Sequence, residues 1–142
     1  MVFVSHSGEF SMPVRVYIED TDAGGIVYYV NYLKFMERGR TEYMREMGFG
    51  KNFVFNEDLL FVVRDVAVTY LSPALLDDEL QVTAALSEVR GATVTMRQSV
   101  KRGSEVLVEG DIKIACIDKT SKKPRRLPSA MRDVLELRSR GS

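Results

Sequence analysis

The first regular pattern along the chain is Val14, Val16 and Ile18 alternating with Arg15 and Tyr17. A period of two predicts a short half-buried strand over 14–18. The following stretch, Glu19 to Gly25, is too rich in acids and glycines for a strand and reads as a loop. From Val30 to Met47 the spacing lengthens. Leu33, Met36, Tyr43 and Met47 recur at threes, fours and sevens, with a wide gap over Gly39 and Arg40. That spacing predicts an amphipathic helix, with Asn31 as its N-cap and Gly48 as the left-handed residue just past its end. Glycine at position 39 costs ~1 kcal/mol relative to alanine in a helix interior. A close approach by a strand or a partner backbone would explain it.

Four strands are predicted after the helix. Leu59 to Leu71 is almost continuously apolar and β-branched, broken by Arg64 and Asp65, and is expected to be central in a sheet. Leu80, Val82, Ala84 and Leu86 form one alternating face, Val94, Met96, Gln98 and Val100 a second, and Val106, Val108, Ile112, Ile114 and Cys116 a third. Arg90-Gly91 and Arg102-Gly103-Ser104 are turn signals between them, so the last three strands form an antiparallel meander. A final helix is expected over Ser129–Leu137, after Pro128. The class is α+β: one long helix on one face of a five-strand antiparallel sheet. The other face, or an edge, is then solvated or covered by another subunit.

At 142 residues the chain fits a single domain spanning 1–142, with 1–11 and 139–142 expected as mobile ends. Twenty basic residues balance twenty acidic ones, so no global field points to nucleic acid or membrane. The charge is uneven, however: residues 1–118 carry a balance of −6 and residues 119–142 a balance of +6. Lys119, Lys122, Lys123, Arg125 and Arg126 lie together with no acid among them. They read either as a solvated loop or as a phosphate site. One cysteine, Cys116, excludes an intramolecular disulfide, and one histidine, His6, argues against Ser-His-Asp, Cys-His or His-zinc chemistry within one chain. Cys116 itself reads as a small buried hydrophobe. No apolar run approaches the ~20 residues of a bilayer span. No signal peptide is recognised either, so a reducing, cytoplasmic setting is expected.

Acid–base chemistry therefore falls to carboxylates and tyrosines. Asp20 and Asp22 are one residue apart and point the same way in extended geometry. Gly24 and Gly25 permit close backbone approach, and the helix start follows, where free N–H groups stabilise a developing negative oxygen. A carboxylate beside such donors suits acyl transfer. The same acids would equally cap a turn. A calcium loop starting at Asp20 fails, with no acid at its fifth position and Asn31 at its twelfth. Tyr28, Tyr32, Phe35, Met36 and Tyr43 line either an acyl pocket or simply the core.

The segments Asp20-Thr21-Asp22-Ala23-Gly24-Gly25-Ile26-Val27-Tyr28-Tyr29-Val30-Asn31-Tyr32 and Phe35-Met36-Glu37-Arg38-Gly39-Arg40-Thr41-Glu42 carry a resemblance. So does the end of the chain, Ile114 to Asp118 and then Lys123-Pro124-Arg125-Arg126-Leu127-Pro128. Over residues 12–137 the chain resembles the 4-hydroxybenzoyl-CoA thioesterase family and is most similar to its Tol-Pal-associated acyl-CoA thioesterase branch. The resemblance implies a hotdog fold, a sheet wrapped around one long central helix, as a homodimer or homotetramer. It implies hydrolysis of an acyl-CoA thioester with no separate cofactor and no metal, coenzyme A being part of the substrate. Asp22 falls on the family's catalytic carboxylate, and Tyr29 on the position whose backbone N–H polarises the thioester carbonyl. The acyl-CoA branch commonly has histidine there. Gly25, Ile26, Val27 and Tyr28 are then expected to contact substrate, with Arg64, Lys122, Lys123 and Arg125 as candidates for the CoA phosphates. A carrier-protein thioesterase and a non-catalytic acyl-thioester or protein-binding module are the competing readings.

Overall fold

The computed structural model describes residues 9–50 and 58–141. The single histidine, His6, lies outside them. Five strands form one antiparallel sheet in the order β1-β3-β4-β5-β2. These are β1 (Phe10–Arg15), β2 (Leu59–Tyr70), β3 (Glu79–Arg90), β4 (Thr93–Arg102) and β5 (Glu105–Asp118). Helix α1 (Tyr29–Glu46) precedes β2, and α2 (Ser129–Gly141) ends the chain. The meander β3-β4-β5 forms as the alternation and the glycine turns predict.

Three local expectations are corrected. The first strand is Phe10–Arg15, not 14–18. Phe10, Met12 and Val14 are buried, whereas Ile18 sits in a 3-10 turn and is exposed. Pro13 lies within β1, which is an edge strand, where a missing N–H is tolerated. Phe10 and Ser11, read from sequence as part of a mobile end, are thus buried strand residues. Next, the apolar run 59–70 is not central: β2 is the opposite edge, and its helix-facing Val63 and Val66 remain 49% and 45% exposed. Lastly, Asn31 does not cap α1. Tyr28 is the N-cap and makes no side-chain cap bond.

The buried stripe of α1 is Tyr32, Phe35, Met36, Gly39, Arg40, Tyr43 and Met44. Gly39 and Arg40 therefore belong to the packed face rather than interrupting it. A Cβ on Gly39 would lie 2.7 Å from Cγ1 of Val82, the close strand approach expected there. Gly48, at φ +96°, follows the last turn. Its N–H bonds Arg45 O at 2.9 Å and the Phe49 N–H bonds Met44 O at 2.8 Å, a Schellman closure. The sheet does not wrap one helix only, because α2 also packs on β3 and sets Arg138 over the Tyr43 ring of α1. Cys116 is fully buried, and burial pushes its thiol pKa up. On the face away from α1, Arg97 pairs with Asp111 (3.1 Å) and Glu109 (3.4 Å), charges that are about half exposed in the single chain. Among the described residues, no helix is long and apolar enough to cross a membrane.

Candidate active site

The acid-rich loop folds as a tight turn whose amides converge on Asp22. Its N–H bonds Ile26 O at 2.9 Å, and its carbonyl receives the Gly25 N–H at 3.1 Å. Its Oδ1 accepts from Gly24 N (2.8 Å) and, more loosely, Ile26 N (3.3 Å). Gly25 adopts φ +76°, which a side chain would resist. The carboxylate is thus anchored through one oxygen, Oδ2 having no partner among the described residues, and the residue is solvent-exposed in the single chain.

Asp20 does something different. It is 8% exposed and holds two parts of the chain together. Oδ2 accepts from Tyr17 N at 2.9 Å and Oδ1 from Asn31 Nδ2 at 2.9 Å, while its carbonyl accepts the Tyr28 N–H at 3.1 Å. The loop is therefore fastened to the first turn of α1. The segment 72–78 backs it from the other side. Val27 N bonds Ala74 O (3.0 Å), and Leu76 N bonds Gly25 O (3.0 Å). That segment is fixed in turn by Arg102, whose Nη1 meets Asp78 Oδ2 at 2.7 Å. Partial burial opposes ionisation of Asp78, yet the Leu75 N–H and the Arg102 guanidinium outweigh it and hold the carboxyl below its usual range.

Tyr29 is the first helical residue, so its N–H has no acceptor within the helix and points with the positive end of the dipole. Its side chain is 66% exposed and stands edge-on to Tyr70, ring centroids 6.0 Å apart. The Tyr70 hydroxyl donates to the Tyr29 carbonyl at 3.2 Å. Beside them opens a cavity of about 280 Å³ walled by Val27, Tyr29, Tyr32, Tyr70 and the turn 71–73. Burial pushes both the Tyr32 and Tyr70 phenols up. The Tyr32 hydroxyl accepts the Ala74 N–H at 2.8 Å. Asp22 does not line this cavity.

The structure thus brings together Asp22, Gly25, Ile26, Val27, Tyr28 and Tyr29 along one stretch of chain, with Ile26 and Tyr28 exposed and Val27 and Tyr29 lining the cavity. Tyr32, Phe35, Met36 and Tyr43 are buried core, and only Tyr32 reaches the cavity. Arg64 lies at a bulge of β2, exposed and 3.7 Å from Asp65. Lys122, Lys123 and Arg125 sit in the loop after β5, ordered by Asp118, which accepts Thr120 N (2.9 Å) and Ser121 N (2.8 Å) and pairs with Arg125 at 3.5 Å. Tyr70 pairs with Val108 at one end of β5, and Leu59 with Asp118 at the other. At roughly 3.3 Å per residue the basic loop is about 33 Å along the strand from the helix start. Sequence reasoning missed the Asp20–Asn31 bond and the Tyr70 wall. The Ser72-Pro73 turn signal after the apolar run was the one available hint of the latter.

Comparison with known proteins gives a consistent picture. A sequence model of the thioesterase-like superfamily matches residues 16–135. The acyl-CoA thioesterase YbgC of Haemophilus influenzae is 45% identical over 124 residues, 87% of this chain and 91% of that protein. The acyl-CoA thioester hydrolase YbgC of Escherichia coli O6:H1 is 40% identical over 123 residues, 86% of this chain and 92% of its own. Among solved structures, a probable thioesterase from Bartonella henselae superimposes with a TM-score of 0.76 at 39% identity, over 84% of this chain and 98% of that one.

Proposed function

This chain belongs to the thioesterase-like superfamily, with the hotdog fold, and is an acyl-CoA thioester hydrolase; from that premise we propose how its own residues carry the reaction. The thioester carbonyl lies between the Asp22 carboxylate and the Tyr29 N–H. Attack on the carbonyl carbon gives a tetrahedral oxyanion, which the Tyr29 N–H and the helix dipole stabilise. Loss of one such donor typically costs ~3–4 kcal/mol of transition-state energy. Asp22 acts as general base on water or as nucleophile through a mixed anhydride. In either route the carbon–sulfur bond breaks and CoA leaves as a thiolate, a leaving group good enough to need no metal.

The observation that carries this reading is the tethering of Asp22. Backbone N–H groups fix one carboxylate oxygen, the other has no partner among the described residues, and the loop runs directly into the start of α1. Its exposure in one chain supports a second proposal, that the working form is a homodimer or homotetramer. The helix-facing apolar residues of edge strand β2, Val63, Val66 and Tyr70, lack cover in one chain. A second copy along that edge would enclose Asp22 and bring its own Lys122, Lys123 and Arg125 within reach of the CoA phosphates. The test of activity is thiol release from a panel of aromatic, short and long acyl-CoA esters, run beside the matching acyl-carrier-protein thioesters. Turnover of the CoA esters supports the reading. Turnover of carrier thioesters only would transfer the basic loop's role to an acidic carrier.

A further inference from the structure

The chain between Asp22 and Tyr29 is pinned twice to one short segment. Leu76 N donates to Gly25 O at 3.0 Å, and Val27 N donates to Ala74 O at 3.0 Å. Between them Ile26 and Leu75 form an isolated bridge. The helix is pinned to the same place, because the hydroxyl of Tyr32, one turn past Tyr29, accepts the Ala74 N–H at 2.8 Å. Bonds from the carboxylate side, the amide side and α1 thus converge on residues 74–76. A shift of that segment moves Asp22 and the Tyr29 N–H relative to one another.

The segment needs outside help to keep its shape. Asp77 adopts φ +71°, a left-handed backbone that side chains other than glycine disfavour. The turn is closed by Asp78, whose Oδ2 accepts the Leu75 N–H at 2.9 Å and whose own N–H returns to Leu75 O at 3.0 Å. Arg102, the last residue of β4, donates from Nη1 to that same Oδ2 at 2.7 Å and more loosely to Pro73 O at 3.4 Å. The two side chains are 33% and 20% exposed, so this charge-assisted bond is screened less than a pair in open solvent. Through Nη2 the guanidinium also meets Glu105 at 2.9 Å, at the start of β5 and outside the segment. Neither Arg102 nor Asp78 walls the cavity at the helix start.

We propose that Arg102 and Asp78 are positioning residues for the hydrolysis: their bond fixes segment 73–78 and, through Gly25, Val27 and Tyr32, the spacing between the Asp22 carboxylate and the Tyr29 N–H. This rests on the roles given above to Asp22 and Tyr29. A misplacement of about 1 Å between reacting groups can cost about 10²-fold in rate. Binding of the rest of the substrate does not depend on that spacing, so the loss falls on kcat and leaves KM nearly unchanged. Glu105 separates this role from a general one in stability. It bonds the same guanidinium at a similar distance, yet it has no bond to the segment.

The test is steady-state thiol release from the acyl-CoA ester that the wild type turns over fastest, well below the unfolding midpoint of every variant. Arg102→Met and Asp78→Asn should each lower kcat by about tenfold or more, with KM changed by less than about twofold. Arg102→Lys keeps a charge for Asp78 and should recover most of the loss. The double variant Arg102→Met, Asp78→Asn should be no slower than the slower single one, because both act through one bond. Glu105→Gln should keep the wild-type kcat. Should Arg102→Met fail to fold, Asp78→Asn retains an acceptor for the Leu75 N–H and carries the test. Wild-type kcat in folded Asp78→Asn, an equal loss in Glu105→Gln, or losses that multiply in the double variant would overturn the proposal. If Asp22→Asn is inactive in the same assay while these variants are not impaired, this inference alone falls. If Asp22→Asn keeps the wild-type rate, the reading of the site falls and this inference with it.

Discussion

Asn31 donates from its side-chain amide to the buried carboxylate of Asp20 at 2.9 Å. The bond joins the acid-rich loop to the first turn of α1, and so couples the placement of Asp22 to that of the Tyr29 N–H. Asn31→Ala removes the only side-chain donor to Asp20 among the described residues and leaves a buried carboxylate oxygen unpaired, a loss of about 1–3 kcal/mol. If the tie positions the site, thioester turnover falls about tenfold in kcat with little change in KM, since the oxyanion contact matters most in the transition state. Thermal unfolding and steady-state kinetics check the two parts. A stability loss with unchanged kcat would make the bond structural only.

Gly39→Ala sets two effects against each other. Helix propensity gains ~1 kcal/mol. The new methyl lands 2.7 Å from Val82 Cγ1, on a fully buried side chain, and overpacking of this kind costs about 1–3 kcal/mol. The clash should win, lowering Tm by about 4 °C. The loss should shrink when Val82→Ala is added. A Tm increase from Gly39→Ala would show that the sheet yields.

Asp118 offers a pH test. The N–H groups of Ser121 and Thr120, with Arg125 beyond them, hold its carboxyl below the usual range. A depressed native value means the stabilisation is complete above the unfolded pKa of about 3.9 and fades as pH falls through the lower native value. Asp118→Asn should therefore melt below wild type at pH 7, with the gap closing under acid. A gap that persists undiminished at pH 2 would contradict this.

Lys122 and Lys123 are exposed and lie in the loop far along β5 from the helix start. If a second copy brings them to the CoA phosphates, reversing both charges raises KM for acyl-CoA and flattens its dependence on salt, with kcat held. An unchanged salt response would leave them as a solvated loop.

The regular parts of the fold were legible because one face of each is buried. The alternation in β3, β4 and β5, the turns at Gly91 and Gly103, and the closure at Gly48 follow from local pattern. The acidic loop before the helix was legible through composition. What escaped depends on tertiary closure. An apolar run such as 59–70 looks the same whether a neighbouring strand covers it or it stands at an edge. β1 includes Pro13, and tolerance of proline in a strand depends on its edge position, which only the assembled sheet reveals. Arg40 breaks the apolar stripe by chemistry although it lies on the buried face. The Asp20–Asn31 bond spans a turn whose geometry no spacing rule reveals.

The account rests on the negative charge of Asp22. Asp22→Asn keeps an Oδ1 acceptor for the Gly24 and Ile26 amides, so the loop should hold its shape while losing its base or nucleophile. Thioester hydrolysis by this variant, confirmed folded by its unfolding curve, should fall by about 10²-fold or more. A folded Asp22→Asn protein that turns over acyl-CoA near the wild-type rate would contradict it.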